Sequence, residues 1–144
     1  MVDVLADPEL YRFTGGTPPN LDELESRYRA QLAGPPRGDQ VWHNWILRLA
    51  GSDIAVGFAQ ATVTGDSADV AWLVATKWQG QGFATEATTA MCNWLATRGT
   101  AQFNAHIHPD HAVSGGVAAA VGLQPTAEVD SDGELVWASL EKQW

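Results

Sequence analysis

Apolar side chains recur along this chain at two spacings, one typical of helices and one typical of strands. The first helix begins at the capping residue Asn20, which has Glu23 as its partner three positions later. The apolar residues that follow share one helical face: Leu21, Leu24, Tyr28 and Leu32. The Gly34-Pro35-Pro36 segment then predicts the end of this helix.

Three strands are predicted next, at residues 41–49, 54–64 and 68–75. Turn residues separate them at 51–53 and 65–67, so the pattern predicts an antiparallel meander. A second helix is predicted over residues 83–97, with its apolar residues at helical spacing: Ala84, Ala87, Met91, Trp94 and Leu95.

After the second helix the pattern predicts a strand at 103–108, a short helix at 114–121 and a last strand at 135–140. Strands and helices thus alternate after a meander. This order favours an α/β fold with a mixed sheet.

The run from Gln79 to Ala84 stands between a predicted strand and the second helix, and it contains Gly80 and Gly82. Such a turn leaves backbone N–H groups unpaired at the positive end of a helix dipole, which suits a pyrophosphate. The P-loop spacing is absent. A dinucleotide fingerprint would require glycine at the position of Thr85.

The pattern [QR]-x-x-G-x-[GA] is met by Gln79, Gly82 and Ala84, with Gly80 as a supporting match. This run resembles the coenzyme A loop of the GNAT superfamily of N-acetyltransferases. Residues 78–87 are also similar to the phrase W-G-[KR]-G-[YF]-A-T-E-A of the branch that includes the Rim-type ribosomal-protein N-terminal acetyltransferases. Residues 109–114 resemble the family's P-x-N-x-x-S, and residues 121–123 resemble its closing l-G-F.

The resemblance spans roughly residues 7–140 and implies a GNAT-type fold, in which the fourth and fifth family strands splay to admit the pantetheine arm. It implies acetyl transfer from acetyl-CoA to a primary amine by direct attack on the thioester. The expected pyrophosphate-binding residues are Gln79, Gly80, Gln81, Gly82, Phe83 and Ala84. The expected wall for the acyl group is the strand at Leu73 and Val74, with the N–H of Val74 as the oxyanion donor.

The resemblance also implies two catalytic residues. Asp69 matches the acidic position of the family's A-E-[IV]-G-[YW] and is the expected base, the alternative being a solvated carboxylate on a strand. Ser114 matches the family serine near the sulfur, where it would protonate the thiolate or contact the pantetheine. Its other interpretation is a helix N-cap. His111 replaces the usual asparagine and is expected to contact the coenzyme.

One departure from the family concerns the N-terminus, where only six residues precede Asp7. The sheet would therefore lack its first strand. Two explanations remain open: the reading frame begins upstream, or the strand at 41–49 is an exposed edge that a second subunit covers. We expect a homodimer on the second explanation.

Composition narrows the functional classes. The 144 residues are expected to form one domain, and the net charge of −9 argues against a nucleic-acid partner. Cys92 has no cysteine partner and is expected to be an inert buried thiol. No apolar run is long enough for a membrane span, and residues 1–3 lack a basic signal region, so the cytoplasm is the expected compartment.

Two alternatives from other functional classes are compatible with parts of the sequence. The chain could be a non-catalytic acyl-CoA-binding module. The run His106, His108, Asp110 and His111 also satisfies H-x-H-x-D-H, a di-zinc signature of metal-dependent hydrolases. That hydrolase fold requires further ligands downstream, whereas the remaining histidine, His43, lies upstream, so no metal is expected.

Overall fold

The structure is a computed structural model that describes residues 1–140. Three α-helices lie within this part of the chain: α1 (Leu21–Ala33), α2 (Phe83–Thr97) and α3 (Ala112–Ala120). Six strands accompany them: β1 (Gln40–Arg48), β2 (Ala55–Thr64), β3 (Ser67–Val74), β4 (Gln102–Ile107), β5 (Leu123–Val129) and β6 (Leu135–Ser139). Short 3₁₀ turns occupy Pro8–Tyr11 and Thr76–Trp78.

The six strands form one mixed sheet in the order β1-β2-β3-β4-β6-β5. The β3–β4 pair is parallel and the other pairs are antiparallel. The expected α/β fold with a mixed sheet is therefore confirmed. Strand β5 was not predicted, because it contains Pro125, has mostly exposed side chains and loses its regular pairing between Pro125 and Val129.

The parallel pair β3–β4 is short, and this shortness creates an opening between the two strands. Its register covers three pairs, from Ser67 with Gln102 to Asp69 with Asn104. Beyond them β3 runs on to Val74 and β4 to Ile107 without pairing to each other. The splay expected between these two strands is thus present.

Small residues on β2 and β3 allow the helices to approach the sheet closely. Ala59, Ala61 and Ala68 are each at most 2 % exposed and form the core with Met91 and Leu95 of α2. The expected helical face of α2 needs one correction. Trp94 is 38 % exposed and packs by its edge against Trp45, whereas the buried polar residue of α2 is Thr88.

Helix α1 begins as expected, since the side chain of Asn20 accepts a 2.8 Å hydrogen bond from the Glu23 N–H. Its apolar face is only partly covered: Leu24 is buried, but Leu32 is 89 % exposed. None of the helices in residues 1–140 is both long and apolar enough to cross a membrane.

Strand β1 is one edge of the sheet within residues 1–140 and pairs there with β2 alone. Two of its apolar side chains, Val41 and Ile46, are 52 % and 41 % exposed. Open clefts of about 390 Å³ and 570 Å³ flank this strand on the α1 side and on the α2 side. The strand therefore combines unpaired backbone groups with apolar surface.

Candidate active site

The glycine turn adopts the conformation that its sequence predicts. Gly80 and Gly82 have φ values of 80° and 84°, and Gly82 is the N-cap of α2. Only glycine adopts such angles without strain. Within residues 1–140, the backbone N–H groups of Phe83, Ala84 and Thr85 donate no hydrogen bond. They form a row of donors at the positive end of α2, where a pyrophosphate could bind.

The side chain of Gln79 has a structural role that the motif did not reveal. Its amide nitrogen donates a 2.9 Å hydrogen bond to the carbonyl oxygen of Val74, the last residue of β3. The Gln79 side chain therefore links the glycine turn to the end of β3 by a hydrogen bond.

The backbone of Val74 presents its N–H to the opening between β3 and β4. The next residue, Ala75, donates a 2.8 Å backbone hydrogen bond to Val56 of β2. Backbone groups alternate sides along an antiparallel strand, so those of Val74 point away from β2. The carbonyl on that side is satisfied by Gln79, and the N–H is available to an oxyanion.

A small cavity of about 110 Å³ lies in the splayed region between β3 and β4. Its walls come from the two strands, the start of α3 and the segment that precedes α1: Phe13, Thr14, Val70, Trp72, His106, His108, His111 and Ser114. The sequence did not indicate Phe13, which covers the cavity because its ring stacks on His111 with centroids 4.6 Å apart.

Asp69 stands at the last paired position of β3, where the opening begins. Its side chain is 59 % exposed, and Oδ1 lies 3.8 Å from Nε2 of His106. The carboxylate is therefore solvated but adjoins the cavity wall that His106 forms.

Ser114 lies inside a helix, so its interpretation as an N-cap was wrong. Helix α3 begins at Ala112 with His111 as its cap residue, and Ser114 is the third helical residue. Its Oγ lies 3.3 Å from Nε2 of His111. Burial, and secondarily the nearby His108, lower the pKa of His111, so the imidazole is neutral at pH 7 and can exchange a proton with the serine hydroxyl.

The histidine run does not assemble the di-zinc ligand set of the hydrolase alternative. His106 pairs with Asp130 through a 2.8 Å contact, and Nδ1 of His108 accepts a hydrogen bond from the N–H of Asp110. The one group of three metal-ligating side chains that converges within residues 1–140 is Asp130, Asp132 and Glu134. Both His106 and His108 line the cavity, as expected for strand positions that share a face.

Cys92 lies in α2, where burial raises the pKa of its thiol to about 11. A thiol with this pKa is protonated at neutral pH and is a poor nucleophile. The expectation of an inert thiol is consistent with this environment.

The contact between His106 and Asp130 is the functional feature that the sequence did not reveal. The two residues are 24 positions apart, and they meet because β6 returns antiparallel beside β4. The only sequence signal was the Asp130-Ser131-Asp132-Gly133 turn, which gives no information about the residue that it contacts.

Residues 1–124 match the model of the acetyltransferase (GNAT) domain family, and the chain belongs to that family. No curated protein matches the sequence at a significant level. The fold is similar to that of a GNAT-family acetyltransferase from Bacillus anthracis, with a TM-score of 0.82 and 15 % identity over 99 % of this chain and 88 % of that one.

Two further solved structures share the fold. The aminoglycoside acetyltransferase AAC(6')-Ib, in complex with coenzyme A and kanamycin, gives a TM-score of 0.76 at 15 % identity over 96 % of this chain and 86 % of that one. A protein from Vibrio cholerae, assigned as a ribosomal-protein-serine acetyltransferase, gives a TM-score of 0.64 at 15 % identity, over 83 % of this chain and 74 % of that one.

Proposed function

We propose that this protein transfers an acetyl group from acetyl-CoA to a primary amine. The observation that carries the proposal is the continuity between the donor row at the start of α2 and the N–H of Val74 at the β3–β4 opening. The side chain of Gln79 joins these two parts. Family membership and the complexes of related folds with coenzyme A support the same function.

The pyrophosphate of acetyl-CoA would bind main-chain N–H groups of the loop that runs through Gly80, Gln81, Gly82, Phe83 and Ala84. The N–H of Gln79 already donates to the carbonyl of Thr76, so Gln79 would contribute through its side chain, which links the loop to β3. The pantetheine arm would then follow β3 past Leu73 and Val74 into the opening. His111 and Ser114 stand on the opposite wall of the cavity, where they would contact the sulfur end of the arm. The loop supplies hydrogen bonds without a cationic side chain, since Gln81 stands where many relatives have lysine or arginine.

The chemical step is an attack of the neutral amine on the thioester carbonyl carbon. As the C–N bond forms, the carbonyl electron pair moves to oxygen, where the N–H of Val74 would stabilise it. Asp69, beside the acceptor end of the cavity, would take the amine proton through water. The C–S bond then breaks with its electron pair on sulfur. The Ser114 hydroxyl would pass a proton to the departing thiolate while it regains one from solvent, relayed through Nε2 of His111.

The acceptor is proposed only as a class, namely a primary amine. Related folds have acceptors as different as kanamycin, which binds AAC(6')-Ib, and the ribosomal-protein serine assigned to the Vibrio cholerae protein. The net charge of −9 favours a cationic acceptor over an anionic one. A protein N-terminus, a lysine, a polyamine and an aminoglycoside all meet this description.

The test is release of free thiol from acetyl-CoA in the presence of an amine panel that represents these four types. We expect turnover with at least one amine, and slower turnover for Asp69→Asn and Ser114→Ala. An unchanged rate in either variant removes that residue from the mechanism. Binding of acetyl-CoA without transfer to any amine would instead favour the acyl-CoA-binding module.

We also propose that a second copy of the chain covers strand β1, giving a homodimer. The backbone N–H and C=O groups of Ala59 in β2 point toward β1, where they face those of Trp45. Backbone groups alternate in direction along a strand, so the N–H and C=O of the neighbouring Asn44 point away from the sheet. A two-fold axis at Asn44 would pair Trp42 of each copy with Ile46 of the other on one face of the sheet. The strand is self-complementary in this register, and its only charged residue, Arg48, would meet Gln40.

A further inference from the structure

At the cavity, His106 lies between two carboxylates, those of Asp69 and Asp130. Nδ1 of His106 lies 2.8 Å from Oδ2 of Asp130, and Nε2 lies 3.8 Å from Oδ1 of Asp69. We propose that His106, oriented by Asp130, is the group that removes the proton from the acceptor amine. This inference rests on the proposed acetyl transfer and revises one step of it: His106 takes the amine proton in place of Asp69, whose carboxylate then stabilises the imidazolium.

The β5–β6 turn fixes the carboxylate of Asp130. Its Oδ1 accepts hydrogen bonds from the N–H groups of Asp132 and Glu134, at 2.8 Å and 2.9 Å. The backbone N–H of Asp130 also donates to the Glu134 carbonyl. With Oδ1 engaged, Oδ2 is the oxygen that faces His106.

This contact determines which nitrogen of His106 carries the proton. An ionised carboxylate only accepts hydrogen bonds, so Nδ1 of the neutral imidazole must be the donor. The backbone hydrogen bonds to Asp130, led by that with Glu134, lower its pKa and keep it ionised at neutral pH. The lone pair is therefore on Nε2. A histidine oriented in this way by a carboxylate is suited to general base catalysis.

The lone pair on Nε2 is accessible to an amine or to a water molecule. His106 lines the β3–β4 cavity, and its side chain is 38 % exposed. The 3.8 Å separation from Asp69 exceeds hydrogen-bond distance, so Asp69 does not occupy Nε2 in the resting protein. Once Nε2 takes a proton, the imidazolium lies between two carboxylates, and both stabilise its charge.

Attack of the neutral amine gives a tetrahedral intermediate with a positively charged nitrogen. Nε2 of His106 takes a proton from this nitrogen, directly or through one water. The C–S bond breaks with its electron pair on sulfur, and the imidazolium later returns its proton to solvent. Other titratable groups near this end of the cavity are Glu134, on the segment that leads into β6, Asp132, whose carboxylate lies within 4.8 Å of those of Asp130 and Glu134, and His108, just beyond β4.

The sharpest test is Asp130→Asn. The asparagine Oδ1 can still accept both turn N–H groups, so its NH₂ group would face Nδ1 of His106. Nδ1 of His106 must then accept a hydrogen bond from this NH₂ group, so the imidazole proton moves to Nε2. His106 can no longer act as a base through Nε2, whereas the hydrogen bonds of the β5–β6 turn are preserved. Asp132→Asn is the matched control, because it changes an acid in the same turn whose side chain has no contact with His106.

Wild-type protein, Asp130→Asn, His106→Gln and Asp132→Asn would be compared by thiol release from acetyl-CoA with the best amine of the panel. We expect kcat to fall on the order of 10²-fold for the first two variants and to stay within about twofold for Asp132→Asn. The deficit should shrink as the pH rises, because hydroxide can then remove the proton from the nitrogen that has attacked, in place of Nε2 of His106. A purely structural role would not produce this pH dependence.

Long-range ¹H–¹⁵N NMR gives a second readout that does not depend on turnover. Wild-type His106 should carry its proton on Nδ1, and Asp130→Asn should move it to Nε2. Two results would overturn the assignment of His106 as the base. One is full activity of His106→Gln under conditions where the wild type turns over, and the other is a proton on Nε2 of His106 in the wild type. Absence of turnover in the wild type with every amine would instead overturn the proposed function, and this role with it.

Discussion

The Gln79 side chain donates a 2.9 Å hydrogen bond to the Val74 carbonyl, and this bond connects the glycine turn to the end of β3. Because the Val74 carbonyl oxygen is occupied by this hydrogen bond, the Val74 N–H is the backbone group of this residue that remains available at the opening. The position of the glycine turn relative to β3 therefore depends on this side chain together with the backbone hydrogen bonds from Trp78 to Ala75 and from Gln79 to Thr76.

Replacing Gln79 by alanine should weaken acetyl-CoA binding several-fold, because the turn loses its attachment to β3. We expect a loss of about 1 kcal/mol in unfolding free energy, the usual net value of one hydrogen bond. Isothermal titration with acetyl-CoA and denaturant unfolding measure the two effects. Gln124→Ala, on an exposed position of β5, is the control. Unchanged affinity in Gln79→Ala would show that the hydrogen bond does not position the turn.

Replacing Gly82 by alanine should reduce both stability and acetyl-CoA affinity. Its φ of 84° costs an alanine roughly 1–2 kcal/mol, although no atom lies within 4 Å of the new methyl group. The turn would relieve this strain by shifting its backbone, which would displace the N–H groups that begin α2. Gly51→Ala, at φ 74° in the β1–β2 turn, carries similar backbone strain away from the coenzyme site. We expect both variants to melt earlier and only Gly82→Ala to bind more weakly. Equal loss of affinity in both would contradict a specific role for Gly82.

Replacing Thr88 by valine should raise the melting temperature. Thr88 is fully buried in α2, and its hydroxyl has no hydrogen-bond partner within residues 1–140. Valine keeps the shape and removes an unsatisfied polar group, a change worth about 1 kcal/mol in unfolding free energy. Thr88→Ser keeps the hydroxyl and loses a methyl, so it should be less stable than the wild type. A valine variant that melts earlier would show that the hydroxyl is satisfied in solution.

Acidification below pH 6.5 should destabilise the fold. Burial lowers the pKa of His43, with a smaller effect from Arg98, and burial likewise lowers that of His111. The unfolded chain then binds more protons than the native state at pH values just below 6.5, so stability falls as the pH falls through this range. Glu134, whose pKa burial raises, acts in the opposite direction at lower pH. Thermal melts from pH 7.5 to 5.5 should show a smaller pH dependence for His43→Gln, whereas parallel curves would exclude His43 as a contributor.

Substituting Ile46 by lysine should dissociate the proposed dimer. Two copies related by an axis at Asn44 would place each Ile46 beside the partner's Trp42, and a buried unpaired ammonium there would be costly. Light scattering at about 50 µM should give the dimer mass for the wild type and the monomer mass for this variant. Val129→Lys changes an exposed apolar residue on β5, the opposite edge of the sheet, and should remain dimeric. A monomeric wild type at this concentration would exclude the interface.

The parts of this protein that local patterns could predict are those governed by local physics. The Asn20 cap, the antiparallel meander and the glycine turn before α2 each depend on residues within a few positions of one another, and all three are present. The start of α3 was placed two residues late. Its cap residue is His111, whose side chain makes no capping hydrogen bond, so Ser114 was the more conspicuous signal.

What the sequence by itself determined is the order of the elements other than β5, the glycine turn that begins α2, and the family. These follow from spacing and residue type along the chain. Only the tertiary structure decided that β5 joins the sheet beside β6 and that the Gln79 side chain donates a hydrogen bond to the Val74 carbonyl. It also decided that Asp130 contacts His106 at the β3–β4 opening. The last contact depends on β6 returning antiparallel to β4, because that pairing brings together two side chains that no local spacing relates.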